Sequence, residues 1–179
     1  MLCRVLRGRP SDKESAVPVR LLVGALKGDK TELVVQKATE LGVMRIGVFS
    51  SRYCAAYMNE NKLERLRRVA REAAKQCLRA TVPEVAYYES LEEALRAGED
   101  SRNKLFACEF LPAGGEGLGR LQDSVCAVVG SEGGFSEGEY ETARRLGYAG
   151  ISLGRRILRA ETAAIALASV IMYAAGELQ

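Results

Sequence analysis

Apolar runs and helical spacings alternate along the chain from Val19 onward. Val19 to Leu26 (VRLLVGAL) is an apolar run between Pro18 and the turn-like Lys27-Gly28-Asp29, which predicts a strand. Asp29 to Leu41 then carries Leu33, Val34, Ala38 and Leu41 on one side at helical spacing, with Gly42 as the stop. Arg45 to Ser50 (RIGVFS) reads as a second strand. A long helix follows from Asn59, a good N-cap, to about Thr81, just before Pro83. One of its faces holds Leu63, Leu66, Val69, Ala70, Ala73, Ala74 and Cys77; the other holds Arg65, Arg67, Arg68, Arg71, Lys75 and Arg79.

Beyond Pro83 the pattern predicts a strand at Val85–Tyr88, a short helix at Leu91–Ala97 and a strand at Lys104–Cys108. Pro112 to Gly119 reads as a flexible connection, since Arg120 stands where a dinucleotide fingerprint would need its last glycine. Ser124–Val129 (SVCAVV) is a buried strand, GSEGGF a loop, and Ser136 with Glu139 an S-x-x-E capping box for a helix ending near Leu146-Gly147. The sequence then gives a strand at Gly150–Leu153, a tight loop at Gly154–Arg159 and a helix at Glu161–Ala175. That helix is apolar nearly all round, as expected for burial in a core or a subunit interface.

Strands alternating with helices imply an α/β fold with a mostly parallel sheet flanked by helices, whose ligands bind at the carboxyl ends of the strands. Three predicted strand ends, near Cys108, Val129 and Leu153, run into glycine-bearing loops, and convergence of these would make one pocket. Glycines let a ligand approach the main chain closely. With no P-loop lysine and no Rossmann spacing, the backbone groups there suit an adenine edge better than a pyrophosphate. Each feature also has a plainer reading: GSEGGF as a turn, Glu161 as a first-turn acid complementing the helix dipole, and Arg155, Arg156 and Arg159 as surface charge.

Composition narrows the chemistry. A chain of 179 residues, 47% hydrophobic, is long enough for a self-sufficient core, with one compact domain as the default. The five cysteines are scattered without a C-x-x-C pair and there is no histidine, which argues against zinc and haem sites and excludes Ser-His and Cys-His catalysis. Such cysteines fit reduced thiols in the cytoplasm. No segment reaches the ~20 apolar residues needed to cross a bilayer, and MLCRVLRGR has no signal-peptide character. The net charge of +3 says little alone, but residues 59–81 hold seven Lys/Arg against three Glu, either a solvated helix face with pairs such as Glu64–Arg68 or a footprint for RNA phosphates.

Three blocks in order, KGDKTELVVQKATELGV (Lys27–Val43), VVGSEGGFSEGE (Val128–Glu139) and ISLGRRILRAETAA (Ile151–Ala164), strongly resemble the RsmE family of ribosomal RNA methyltransferases in the SPOUT superfamily. The resemblance runs from about Arg20 to the C-terminus. It implies a SPOUT methyltransferase domain over residues 20–179 and a homodimer with a C-terminal trefoil knot. The general rule against threaded chains would not have suggested that knot. It implies transfer of a methyl group from S-adenosylmethionine to N3 of a uridine in 16S ribosomal RNA, acting on free RNA or the small subunit. Residues 1–19 would be the remnant or linker of an N-terminal PUA-like barrel, with most of that barrel missing.

Carried onto this chain, cofactor contacts are expected from Ala107, Cys108, Glu109 and Phe110, from Gly130, Glu132, Gly133 and Gly134, and from Leu153, Gly154, Ile157, Leu158 and Arg159. Arg159 is the candidate stabiliser of the developing uridine anion, with Glu132 or Glu161 as possible proton acceptors. The RNA-facing candidates are Arg52, Arg68, Arg71, Lys75, Arg79, Arg155 and Arg156. No metal and no membrane are implied. Ser131 stands where the family usually has proline, Ala160 where threonine is common, and Lys75 where an acid more often precedes the glutamine. The competing readings are a non-catalytic RNA- or nucleotide-binding module of the same fold and an NAD-binding Rossmann enzyme, whose glycine spacing is missing.

Overall fold

The computed structural model describes residues 13–109, 111, 118 and 121–178. The expected barrel remnant at LCRVLRGR, most of the Pro112–Gly119 connection, and Phe110 lie outside the described residues. The elements follow in the order β1 (Val19–Gly24), α1 (Lys30–Glu40), β2 (Arg45–Phe49), α2 (Glu60–Gln76), β3 (Glu84–Tyr88), α3 (Leu91–Ala97), β4 (Asn103–Ala107), β5 (Val125–Val129), α4 (Glu137–Arg145), β6 (Ala149–Ile151) and α5 (Ala160–Ala174). Among the described residues no helix is long and apolar enough to cross a membrane.

The six strands form one sheet in the order β3-β2-β1-β5-β4-β6, and every pairing is parallel. Parallel strands need crossover helices, which cover both faces and bury the central strands on both sides. Accordingly all five residues of VCAVV in β5 are buried. Leu21, Val23, Ala127 and Val129 face α1, α2 and α5, while Leu22, Phe106, Cys126 and Val128 face α3 and α4. The direction of strand addition reverses between β1 and β5, the kind of switch point beside which open α/β sheets bind ligands. Register then sets the strand ends level: Val23 pairs Val129, Val129 pairs Ala107, and Ala107 pairs Ile151.

Three expectations change on inspection. The long helix stops at Gln76 rather than near Thr81, because Leu78 turns to φ 63° and Arg79 N–H bonds back to Ala74 O at 2.9 Å. A left-handed residue there closes the last turn, a role that glycine usually fills. Arg79 is therefore not on the charged face. Its side chain is only 2% exposed. The guanidinium donates to Thr39 O at 3.0 Å and Val43 O at 2.8 Å, capping the end of α1, and pairs with Glu14 at 2.8 Å. Leu33, placed by spacing on the buried side of α1, is exposed, and Val35 takes the interior position. Within a single chain, α5 is buried along one stripe, and the interface alternative for its outer side is not tested by one chain. Ala164, Leu167, Ala168, Ile171 and Met172 form its buried stripe, while Val170 and Tyr173 face outward.

Burial pushes the Glu14 carboxyl up, but hydrogen bonds from Arg79 and from the Thr81 and Ala80 N–H groups outweigh it and hold the group below its ordinary value of 4.5. A carboxylate depressed in the folded state contributes stability above its unfolded pKa and loses it as pH falls through the folded value. Arg79→Met should therefore lower unfolding free energy by about 3 kcal/mol, since two buried carbonyls and a carboxylate lose their donor. In urea titrations, wild-type stability should decline as pH drops below 4.5, and Glu14→Gln should flatten part of that decline.

Candidate functional site

The level ends of β4, β5 and β6 release three loops side by side, and these, with the first turn of α5, enclose a cavity of about 150 Å³. The β4 end supplies Ala107, Cys108 and Glu109, and the β5 end supplies Val129, Gly130, Ser131, Glu132 and Gly134. Ser152 to Leu158 close the far side, with Ala160 and Ala163 behind them. The convergence expected of the three glycine-bearing loops is thus present. Of the expected contact residues, Gly133 and Arg159 do not line the cavity. Gly133 lies under Tyr53, whose Cβ would be 2.5 Å from any Cβ added there, and Arg159 is the N-cap residue of α5. Ser131, Ser152, Ala160 and Ala163 line it without having been expected as cofactor contacts, and Arg155 and Arg156, candidates for RNA, lie on its wall.

The glycine loop after β5 is held in shape from outside itself. Gly24 lets the end of β1 come against it, since a Cβ there would be 2.5 Å from Ser131 N. Gly134 adopts φ +66°, and the Glu109 carboxylate occupies the space a side chain would need. Phe135 anchors the loop's exit, its ring 4.2 Å from that of Phe106 between centroids. The expected capping box is formed: Ser136 Oγ accepts from Glu139 N–H at 3.4 Å, and Glu139 Oε2 accepts from Ser136 N–H at 2.7 Å. Glu139 Oε1 also accepts from Arg52 N–H at 3.0 Å, tying the segment after β2 to the same loop. Arg52 therefore sits at a neighbouring polar cleft with Ser136 and Thr142, outside the cavity wall.

Glu132 is a clamp. Its Oε1 accepts from Lys27 N–H at 3.0 Å and lies 3.4 Å from Lys30 Nζ, across more than a hundred residues of sequence. Burial raises its pKa, but the N–H groups of Lys27 and of Glu132 itself, together with Lys30, outweigh that and keep it low. Lys30 Nζ also lies 3.8 Å from Glu161 Oε2, which is buried without a hydrogen-bond partner among the described residues. One ammonium thus spans the glycine loop and the start of α5. In the cavity, burial first and then the charge of Glu109 push the Cys108 thiol up to about 11, so it is a neutral thiol near pH 7. Ser131 is buried, and its hydroxyl also lacks a partner.

On α2 the charged face is largely paired, within the helix and to α1. Arg65 meets Glu32 at 2.8 Å, Arg67 meets Glu60 at 3.0 Å, and Lys75 meets Glu72 at 2.8 Å. Glu64 pairs with Arg67 at 3.6 Å rather than with Arg68. Arg68 and Arg71 make no ion pair among the described residues.

Removing the shared ammonium tests the clamp. Lys30→Met should speed hydrogen exchange at the amides of Gly130 to Gly134. It should cost about 1 kcal/mol of stability, a modest figure because the lysine is one-third exposed and screened. Exchange at wild-type rates across that loop would show that the clamp does not hold it.

Comparison with known proteins bears on this geometry. The RNA methyltransferase domain family matches residues 13–172. Ribosomal RNA small subunit methyltransferase E of Bacillus subtilis is 32% identical over 96% of this chain and 72% of its own length. The protein of that name from Mesomycoplasma hyopneumoniae is 31% identical over 90% of this chain and 71% of its own. The crystal structure of ribosomal RNA small subunit methyltransferase E from Neisseria gonorrhoeae, bound to S-adenosyl methionine, superposes with a TM-score of 0.80. It is 28% identical and covers 92% of this chain and 69% of that one. With the parallel α/β sheet, the three convergent loops and identity sustained over nearly its whole length, this chain belongs to the ribosomal RNA small subunit methyltransferase E family of RNA methyltransferases.

Proposed function

We propose that this protein transfers a methyl group from S-adenosylmethionine to N3 of a uridine in 16S ribosomal RNA, acting in the cytoplasm as a homodimer. The observation that carries the reading is the cavity at the level ends of β4, β5 and β6. Its residues fit the cofactor: main-chain groups of the glycine loop for an adenine edge, apolar walls from Ala107, Val129, Leu153 and Ala163, and no lysine placed as in a phosphate loop. The unpartnered Ser131 hydroxyl is a polar group that a ligand with donors and acceptors would satisfy. The outward Val170 and Tyr173 of α5 and the 87% exposed Ile157 are apolar surface that a second copy would cover. The trefoil knot and a catalytic domain beginning near residue 20 belong to the same proposal.

When bound, S-adenosylmethionine supplies an electrophilic methyl carbon. The chain's own residues must then make the uridine a nucleophile, because an imide N3–H is unreactive until its proton leaves and charge spreads onto the flanking carbonyls. Arg159 is the residue we assign to that charge. It is exposed, its side chain has no hydrogen bond or ion pair among the described residues, and it stands between Leu158 and Ala160 on the cavity wall. Glu132 is a poor candidate for proton acceptor, since a carboxylate clamped by Lys27 and Lys30 and held at low pKa is a weak base. Glu161 lies outside the cavity wall, against Lys30. For the RNA we assign Arg68 and Arg71 on α2, Arg155 and Arg156 at the cavity, and Arg52 beside it. Lys75 is left a smaller part, because Glu72 neutralises it.

Titration calorimetry with S-adenosylmethionine and S-adenosylhomocysteine should show binding of both, and no heat with either would sink the reading. With cofactor and undermethylated small subunits, the modified base should map to one uridine and carry the methyl on N3. Arg159→Ala should bind cofactor normally and lose about 3 kcal/mol of transition-state stabilisation, roughly a hundredfold in rate. Methylation by that variant at the wild-type rate would remove Arg159 from the mechanism.

A further inference from the structure

Among the described residues of the cavity wall, Glu109 is the carboxylate without a hydrogen bond or ion pair. Glu132, the other, is held by Lys27 N–H and Lys30. Glu109 follows β4 directly, is exposed, and makes no hydrogen bond or ion pair among the described residues. Its carboxylate lies against the glycine loop. It fills the space over the Gly134 Cα that a side chain would otherwise take, and Gly134 itself lines the cavity. Its charge is felt inside, where it adds to burial in raising the neighbouring Cys108 thiol. The cations on the wall, Arg155 and Arg156, belong to the loop after β6 and make no ion pair with it. The two signs of charge therefore come from different loops of one cavity.

We infer that the Glu109 side chain recognises the positive charge on the methionine half of S-adenosylmethionine. This rests on the methyltransferase reading and extends it from the shape of the pocket to its charge selectivity. The adenosine half is neutral and matches the glycine loop. The methionine half carries a sulfonium, an ammonium and one carboxylate, so an acid on one loop and a pair of arginines on another loop of the same cavity are the complementary arrangement. A carboxylate with no hydrogen bond or ion pair among the described residues can accept a charge-assisted hydrogen bond, or sit against a cation, without breaking one of those contacts. Glu109 is in this sense a specificity residue.

The test is calorimetry on the full chain and on Glu109→Gln, which keeps the volume above Gly134 and removes the charge. The ligands are S-adenosylmethionine, S-adenosylhomocysteine and 5′-methylthioadenosine, the last of which keeps the adenosine and sulfur but has neither sulfonium nor ammonium. Loss of a charged partner should weaken S-adenosylmethionine about tenfold and leave 5′-methylthioadenosine within about twofold, with the melting temperature unchanged. A greater loss for S-adenosylmethionine than for S-adenosylhomocysteine assigns the contact to the sulfonium, and an equal loss for those two assigns it to the ammonium. Either upholds the inference. Unchanged S-adenosylmethionine affinity overturns it, as does an equal loss for 5′-methylthioadenosine, which would make Glu109 a shaper of the loop. Should the wild-type chain bind none of the three, the methyltransferase reading itself falls, and this inference with it.

Discussion

The in-register parallel pairing of β5 with its neighbours is the constraint on which the rest of the structure depends. It makes the chain bury β5 on both faces, which calls for an unbroken apolar strand and a helix layer on each side. It also sets Val129 level with Val23, Ala107 and, one strand further, Ile151, so that three separate loops leave the sheet at one height. A slip of one residue in any of these pairings would turn every side chain of that strand to the opposite face. The cavity is therefore a consequence of the core, assembled by the same hydrogen-bond ladder that stabilises it.

The glycine loop itself has little to hold it. Glycines give up more chain freedom on folding than other residues, and their lack of side chains leaves few contacts to offset that loss. The supports come from elsewhere: Lys27 and Lys30 through Glu132, Tyr53 packed on Gly133, Arg52 N–H on Glu139, and the ring of Phe135 between Phe106 and Phe49. Each is weak by itself, and together they pre-organise main-chain groups that would otherwise have to be ordered by the ligand. This explains why the block KGDK matters to a site from which it is distant in sequence.

Much of the fold was legible in the sequence, because strands such as VCAVV, the S-x-x-E box and the glycine stops are local signals. The convergence of the loops was only a condition in the sequence, and the strand order, which sets β5, β4 and β6 side by side, meets it. What escaped was decided by contacts between distant residues. No local rule predicts that Leu78 will take a left-handed turn normally filled by glycine. The reason lies in Arg79, whose guanidinium reaches back to Thr39 O and Val43 O and forward in space to Glu14. Glu132 looked equally suited to shaping the loop or facing the reaction until Lys27 N–H and Lys30 were found against it. Ser131, noticed only as a departure from proline, turned out to be a buried hydroxyl on the cavity wall.

The same distinction bears on where RNA affinity resides. Counted along the sequence, residues 59–81 hold a larger positive excess than the whole chain, which puts the footprint on α2. Counted in space, Arg79 is withdrawn to the interior, and Arg65, Arg67 and Lys75 each have a carboxylate within 3.0 Å. A cation already paired gains less from a phosphate, since the new contact must displace the old one, so on the proposed function α2 would contribute chiefly through Arg68 and Arg71. Among the described residues Arg155, Arg156 and Arg159 make no ion pair, and they lie instead between β6 and α5. Attraction to the backbone scales with the number of phosphates neutralised. On the proposed function, the balance of free charge would draw the RNA toward the mouth of the cavity rather than along the helix.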